Sequence, residues 1–478
     1  MTLSFPGLLV WLCLLLVGRM SGGALIVGLF ASLPFGSTAF ATLNSLGGSS
    51  PLIYTLFVLG IFVTVAARRT LSSDLAAVFT HYKTVWLICA LAVYTAASAY
   101  VFPRLFAGKT SAFIPIEGMI REVPLAPASG NITQTAYFLL GVFLFIGLCI
   151  IFLRADNLKK VTAGFFAFVT VHALLGLIDL GSKLAGLGDM LLPIRTASYA
   201  LLTEVEQSGF WRIVGGCSEA SAYSGYALAS LAFAFTYWRE TSSRFAGILT
   251  LVMLVLVLLS TSSTAYVGLA GLSPFAAAMI ARSAAEDRLR KTDITLMVCA
   301  LAIVTLILAT YIYDSRIFTP FSNLINDMVF NKANSDSGQE RAYWNAKSLQ
   351  NVVDTFGLGI GMGSSRSSSW FVSTISQLGV IGSALVGVLL LIMLRGMGGL
   401  RPLPEDKPFF ALCAGARACG FAALFAAGIA GGSADPGVPF FACLATVLAC
   451  RHHVKARRVG ILHPSHPAMS SVLAGRPA

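Results

Sequence analysis

Long apolar runs recur from one end of the chain to the other, and the polar residues gather in the gaps between them. A bilayer core calls for roughly 20 mostly apolar residues per helix. On that criterion about thirteen spans are predicted, near 5–18, 23–40, 52–67, 85–102, 136–153, 162–178, 221–237, 245–260, 264–280, 293–312, 371–394, 408–428 and 437–450. The first is short, and the polar run from Ser260 to Thr264 divides what would otherwise be one very long helix. The expected fold is all-α: a polytopic integral membrane protein with a single membrane domain over 1–460. A Pro- and Ser-rich tail at 461–478 is expected to be disordered.

Composition agrees with that pattern. Hydrophobic residues make up 56% of the chain, charged residues only 11%, and the mean hydropathy is +0.80, far from the balance of a soluble domain. The formal net charge of +12 would suggest nucleic acid as the partner of a soluble protein. Here the bilayer is the partner, and the charge sorts by side. If the basic segment Arg451–Arg458 is cytoplasmic and the spans alternate, 21 of the 33 Lys and Arg residues fall on the cytoplasmic side, 11 on the other, and Arg417 inside a span. That bias is the one insertion favours, and it places the N-terminus outside and the C-terminus in the cytoplasm. No basic residue precedes the first apolar run, which argues against a cleaved signal peptide.

Three expected outer segments are long, about 103–135, 179–220 and 313–370. The first carries no readable motif beyond Asn131-Ile132-Thr133, read as a chance match to a glycosylation acceptor. No internal repeat, no broken-helix pair of the inverted-repeat transporters and no phosphate-binding glycine loop after a strand is visible. Eight of the nine cysteines lie in apolar runs, with Cys217 the exception, and no CxxC pair occurs. Neither a metal nor a redox cofactor is implied. Of the six histidines, His81, His452, His453, His463 and His466 fall on the cytoplasmic side and His172 inside a span. Outer-face chemistry is therefore left to arginines, lysines, carboxylates and tyrosines.

Two outer stretches concentrate such groups. Before the seventh span, Arg212, the Gly215-Gly216 pair and Glu219 stand close together. They read either as a cation and a general base at the membrane lip or as a helix cap at Ser218 with a surface ion pair. The second stretch runs from Asn334 to Gly382. Gln339–Val353 reads as an amphipathic helix, with Glu340 near its start and Arg341, Trp344 and Lys347 or Ser348 on one face. Arginine offers a planar donor fork to phosphate oxygens. Alternating glycines follow, including Gly361 and Gly363, and then Ser364, Arg366, Ser368 and Trp370. This run reads either as a backbone N–H cradle for an anion or as a re-entry loop whose arginines meet lipid phosphates. Arg417 lies mid-span, where a charge is costly, and reads equally as a structural ion pair or as a contact to a substrate phosphate.

At these residues the chain resembles the Wzy-type polysaccharide polymerases and the related O-antigen ligases of bacterial inner membranes. Arg212, Glu219 and Ser221 match an R-x-x-G-x-x-x-E-P-S pattern, with Ala220 in place of the proline. Arg341 and Trp344 match S-x-R-x-x-W, and the run from Phe356 to Trp370 matches G-x-G-x-G-S-x-R-x-S-S, with Gly379 and Gly382 following. Ligases of the family carry a histidine where this chain has Ser368, which favours a polymerase over a ligase. The likeness covers roughly 205–385 and implies a GT-C-like fold with helical extracytoplasmic loops. It also implies a metal-independent, inverting glycosyltransferase on the periplasmic face of the inner membrane. Polyprenyl-diphosphate-linked oligosaccharide would be both donor and acceptor, and a chain-length regulator and a flippase would be companions. By the same resemblance Arg212, Arg341 and Arg366 would stabilise the departing diphosphate. Glu219 would take the acceptor's proton, with Glu340 second in line, and Trp344 and Trp370 would stack on sugars. The remaining readings are a ligase acting on another acceptor and a transporter of polysaccharide or lipid-linked sugar.

Overall fold

The computed structural model describes residues 1–460 except 44–47, 117–118, 200, 204–205, 208, 288, 315 and 317–318; the tail at 461–478 lies outside the described residues. A two-residue strand β1 (Thr2–Leu3) precedes α1 (Phe5–Met20) and α2 (Ala24–Ser32), and it pairs with β2 (Ala41–Thr42). Then come α3 (Tyr54–Ala66), α4 (Leu71–His81), α5 (Thr84–Leu105) and an antiparallel hairpin, β3 (Ser111–Ile116) with β4 (Met119–Pro124). The helices α6 (Ser129–Ile151) and α7 (Asp156–Leu184) follow. A largely irregular loop then ends in β5 (Glu206–Gln207) and β6 (Phe210–Trp211). The chain continues through α8 (Ala220–Thr241), α9 (Arg244–Leu259), α10 (Ser263–Ala285) and α11 (Lys291–Tyr313). It closes with α12 (Thr319–Ile325), α13 (Asp336–Asp354), α14 (Trp370–Arg395), α15 (Lys407–Ala430) and α16 (Gly437–Arg458).

This is a multi-pass membrane protein, mostly helical. Among the described residues eight helices are long and apolar enough to cross a bilayer, and α3 with α4, bent by 108° at their junction, would make a ninth if the pair is one span. Each of the thirteen predicted segments overlaps a helix, but α1, α2, α8 and α9 do not meet the span criterion by themselves. The apolar side chains divide between two surroundings. Phe138, Phe145, Phe165, Phe233 and Phe441 are fully buried between helices. Others, such as Phe62 on α3 and Leu391 on α14, project outward in numbers a water-facing surface would not tolerate. Glycines let helices close up where rings fill the gap: a Cβ at Gly141 would meet the Phe441 ring at 2.4 Å. The exception is α11, whose apolar stretch has no buried residue. It is anchored at its start, where the buried Asp293 pairs with Arg239 at 2.6 Å.

Hydrogen bonds sort the loops into two ends of the bundle. At one end Ser37 bonds to Gly216, Phe113 to Ser365, Asn131 to Ser364, Ser433 to Gln134 and Thr261 to Trp211. The Ser260–Thr264 interruption is thus a turn between α9 and α10 at this end. At the opposite end His453 bonds to the Phe152 carbonyl, and Arg457 and Arg458 pair with Asp406. The expected outer segments share the first end, which is loop-rich. Among the described residues the α-helices lying within those segments are α12 and α13, and a short 3-10 turn lies at Leu192–Ile194. The 103–135 segment holds the antiparallel β3–β4 hairpin instead, with Ala112 and Phe113 buried.

Candidate functional site

The loop-rich end gathers three arginines on separate supports. Arg341 and Trp344 ride on α13, whose start is fixed by Ser335: its Oγ accepts the Gly338 N–H at 3.2 Å. The face expected from spacing is the packed one, since Arg341 and Trp344 are half-buried and Ser348 and Asn351 fully so. Arg366 is held by the hairpin. Its N–H donates to the Phe113 carbonyl at 2.9 Å, and the Phe113 N–H donates to Ser365 Oγ, also at 2.9 Å. Its guanidinium carbon then lies 5.9 Å from the centre of the Trp344 ring, within cation–π range.

Arg212 comes from the loop after β6, and a buried ionic cluster sets that loop. Asp179 Oδ2 accepts the N–H groups of Val214 and Gly215 at 2.7 and 3.1 Å and the Lys183 ammonium at 3.0 Å; Oδ1 accepts from Arg195 at 3.2 Å. Asp189 pairs with the same Arg195. Lys183 also donates to the Arg212 carbonyl at 2.8 Å. Sequence reasoning missed this cluster, although a carboxylate four residues before a lysine at the end of an apolar run was a usable signal. The Arg212 guanidinium makes no hydrogen bond to any described residue, and its Nε is shut away from solvent. Burial lowers the pKa of Arg212, nearby Glu219 opposes that shift, and Arg341 adds to it. Glu219 and Arg341 therefore both lie within electrostatic reach of Arg212. Glu219 stands at the N-cap position of α8, makes no side-chain capping bond, and accepts a hydrogen bond from the Ser221 hydroxyl at 2.5 Å. The unrelated-looking 212–221 and 334–382 stretches thus meet at one place.

Several expectations are corrected here. The glycine run is scaffold, not an open cradle. Gly361 N–H donates to the Gln377 carbonyl at 2.9 Å, Gly363 N–H to Gln377 Oε1 at 2.7 Å, and Ser364 N–H to the Gly361 carbonyl at 3.3 Å. Ser364 is fully buried, its hydroxyl shared with Ile360 and Asn131. Ser368 is buried too, its N–H donated to Asn345 Oδ1 at 2.9 Å. Trp370 is 2% exposed and donates its indole N–H to the Ala434 carbonyl at 3.2 Å, so it has no face free for a sugar. Lys347 pairs with Glu122 of the hairpin at 3.6 Å rather than joining the arginines. Glu340 is exposed near the first turn of α13. Arg417 lies at the opposite end, donating at 3.0 Å to the Leu394 carbonyl where α14 finishes.

No family model matches this chain, and no curated protein is significantly similar to it.

What the site can do follows from charge balance. Among the described residues Arg212, Arg341 and Arg366 form no ion pair, whereas Lys183, Arg195 and Arg239 do. Unpaired guanidiniums, with Arg212 in electrostatic reach of both Arg341 and the half-buried Glu219, suit an anionic ligand with several oxygens. Trp344 supplies an aromatic wall beside them.

Proposed function

We propose that this chain is a polysaccharide polymerase that joins polyprenyl-diphosphate-linked oligosaccharide units by inverting glycosyl transfer. The observation that carries the reading is the half-buried guanidinium of Arg212, which has no ion-pair or hydrogen-bond partner among the described residues, beside Arg341 and Glu219. A partly desolvated cation that makes no ion pair among the described residues is poised for an anion brought by the substrate. In the proposed step the acceptor hydroxyl attacks the anomeric carbon, the bond to the diphosphate oxygen breaks, and Glu219 takes the hydroxyl proton. Arg212, Arg341 and Arg366 stabilise the negative charge that develops on the leaving group. Trp344, already in contact with Arg366, lies beside the first sugar.

The resemblance adds the setting: a GT-C-like protein of the bacterial inner membrane. All thirteen helix-bearing segments would serve as spans, the loop-rich end would be periplasmic, and α16 would run to a cytoplasmic C-terminus. The basic residues at the far end of the bundle support that orientation. Purified protein in liposomes with lipid-linked repeat units is expected to yield a ladder of longer glycans. Arg212→Ala, Arg341→Ala and Arg366→Ala are each expected to slow it by roughly 10- to 150-fold, the equivalent of one charge-assisted bond. Full elongation by all three variants would reject the reading. Transfer only to an added lipid A core acceptor would make the protein a ligase instead.

A further inference from the structure

Behind the arginine rim the bundle holds a second polar set that the proposed reaction does not use. Tyr54 opens α3, Gln134 and Tyr137 lie on the first turns of α6, and Tyr226 sits on the second turn of α8. Tyr199 comes from the loop after α7, and Asp435 from the turn between α15 and α16. Asp435, Tyr226, Tyr137 and Tyr199 all lie within electrostatic reach of Tyr54. Two links tie the set to the rim. Gly432, three residues before Asp435, packs so closely on Arg366 that a Cβ there would meet Nε at 3.0 Å. Tyr226 lies seven residues after Glu219, two turns down the same face of α8.

The polar atoms of this set are incompletely used. Tyr137 bonds to Ser49 at 2.8 Å, Tyr199 donates to the Gly36 carbonyl, and Gln134 Oε1 accepts from Ser433 at 2.8 Å. Asp435 Oδ1 accepts the Gly437 N–H at 2.9 Å. Among the described residues no partner is found for the Tyr54 and Tyr226 hydroxyls, Asp435 Oδ2 or the Gln134 amide N–H groups. None of these atoms is sealed from solvent, unlike the buried Tyr223 hydroxyl. Beside them the Phe168 ring lies 6.1 Å from that of Tyr226, and Ser433 joins Asp435 to Gln134, its Oγ accepting the Asp435 N–H at 3.1 Å and donating to Gln134 Oε1 at 2.8 Å.

The set contains phenols, an amide and one carboxylate but no cation, so it repels the phosphates that the rim attracts. Aromatic faces with a few hydrogen-bonding groups suit a neutral ring bearing hydroxyls. We infer that this polar cluster is the acceptor-glycan subsite, with Tyr54, Tyr226, Gln134 and Asp435 bonding the sugar hydroxyls. The inference rests on the polymerase reading and adds to it where the second substrate lies. Burial raises the pKa of Asp435 to about 6, opposed by the Gly437 N–H. Near neutrality its carboxyl can therefore accept or donate toward a hydroxyl.

The test has two arms. Saturation-transfer NMR on the full-length protein in nanodiscs, with maltose, cellobiose and lactose as probes, is expected to show transfer to at least one sugar. That transfer should fall at least threefold in both Tyr226→Phe and Asp435→Asn. In the elongation assay, repeat-unit oligosaccharide freed of its lipid serves as acceptor. The same variants should raise its KM at least fivefold and leave the donor KM within twofold. If the wild type elongates and the acceptor KM does not change, the subsite is wrong while the polymerase reading stands. If nothing elongates but sugars bind through Tyr226 and Asp435, the polymerase reading fails and the sugar site stands. Absence of sugar binding, with proton uptake by proteoliposomes that Asp435→Asn abolishes, would overturn the inference in favour of a transport path.

Discussion

The Lys183 ammonium donates both to the main-chain carbonyl of Arg212 at 2.8 Å and to Asp179 at 3.0 Å. One side chain thus ties the end of α7 to the loop that presents the rim arginine. Asp179 completes the tie by accepting from Val214 and Gly215. Four buried donors converge on this carboxylate, and removing it leaves two cations without their shared partner. Breaking such a pair costs about 3–5 kcal/mol. Asp179→Ala is expected to lower the unfolding temperature of the detergent-solubilised protein strongly. Asp179→Asn should keep more stability yet weaken protection by inorganic pyrophosphate. Wild-type melting in both variants would show that the cluster does not hold the loop.

The glycine run gives a prediction with an internal control. Gly363 has φ +75°, and a Cβ there would meet the Gly130 carbonyl oxygen at 2.2 Å; Gly361 has φ +89° and would meet the Ser98 carbonyl at 2.5 Å. Both clashes are with backbone, which cannot move aside cheaply. Gly363→Ala should therefore broaden or abolish the monodisperse peak in size-exclusion chromatography. On α14, Gly387 has nothing within 4 Å of a Cβ. Gly387→Ala should leave the profile intact and add about 0.5–1 kcal/mol of helix stability. Equal behaviour of the two variants would contradict the scaffold role of the run.

The contrast shows what the chain reveals before it is folded. Apolar runs announce helices because length and hydropathy are local properties, so every predicted span overlaps one. Arg212, Arg341 and Arg366 were legible as the scarce cations of one expected face. Where a side chain points was not legible. Arg417 reads as a buried charge near the site, but the α14 end at Leu394 captures it at the far end of the bundle. Lys347 shares the expected face with Arg341, yet Glu122, more than two hundred residues earlier, draws it away. Trp370 looked available until the 431–436 turn supplied a carbonyl for its indole. Asp435 carried no signal beyond being an acid between two spans, because its altered proton affinity comes from helices that only the fold brings around it.

The hairpin is clamped to α13 through Glu122, and its pH response follows in sign. Hydrogen bonds from Ser111 and Tyr343, at 2.5 and 2.6 Å, hold the Glu122 carboxyl below its usual pKa, with Lys347 adding to the effect. A lowered carboxylate pKa means that the clamp is complete above the ordinary Glu range, near 4.3, and is lost as pH falls through the folded value. Hydrogen exchange of amides in Ser111–Pro124 should be well protected at pH 7 and 5 after correction for intrinsic rates, and less so below about 4. Glu122→Gln should exchange faster throughout, without an acid transition. A variant with wild-type protection would place the restraint elsewhere, in the contact of Phe113 with Trp344.

Asp435 responds with the opposite sign. Its folded pKa of about 6 stands above the ordinary aspartate value, near 3.9, because burial disfavours the charged form. Between those values the folded state binds more protons than the unfolded chain, so this group's contribution to stability falls as pH rises. Each unit of difference is worth about 1.4 kcal/mol, so the full effect across the window is about 3 kcal/mol. Other carboxylates, Glu122 among them, slope the other way, and the total curve mixes both. The diagnostic quantity is the difference between wild type and Asp435→Asn. The variant should gain on the wild type steadily from pH 4 to 6 and keep a constant lead above that. A flat difference would mean that the Asp435 carboxyl is solvated as in the unfolded chain. A falling difference would mean that a cation faces it, which the glycan assignment does not allow.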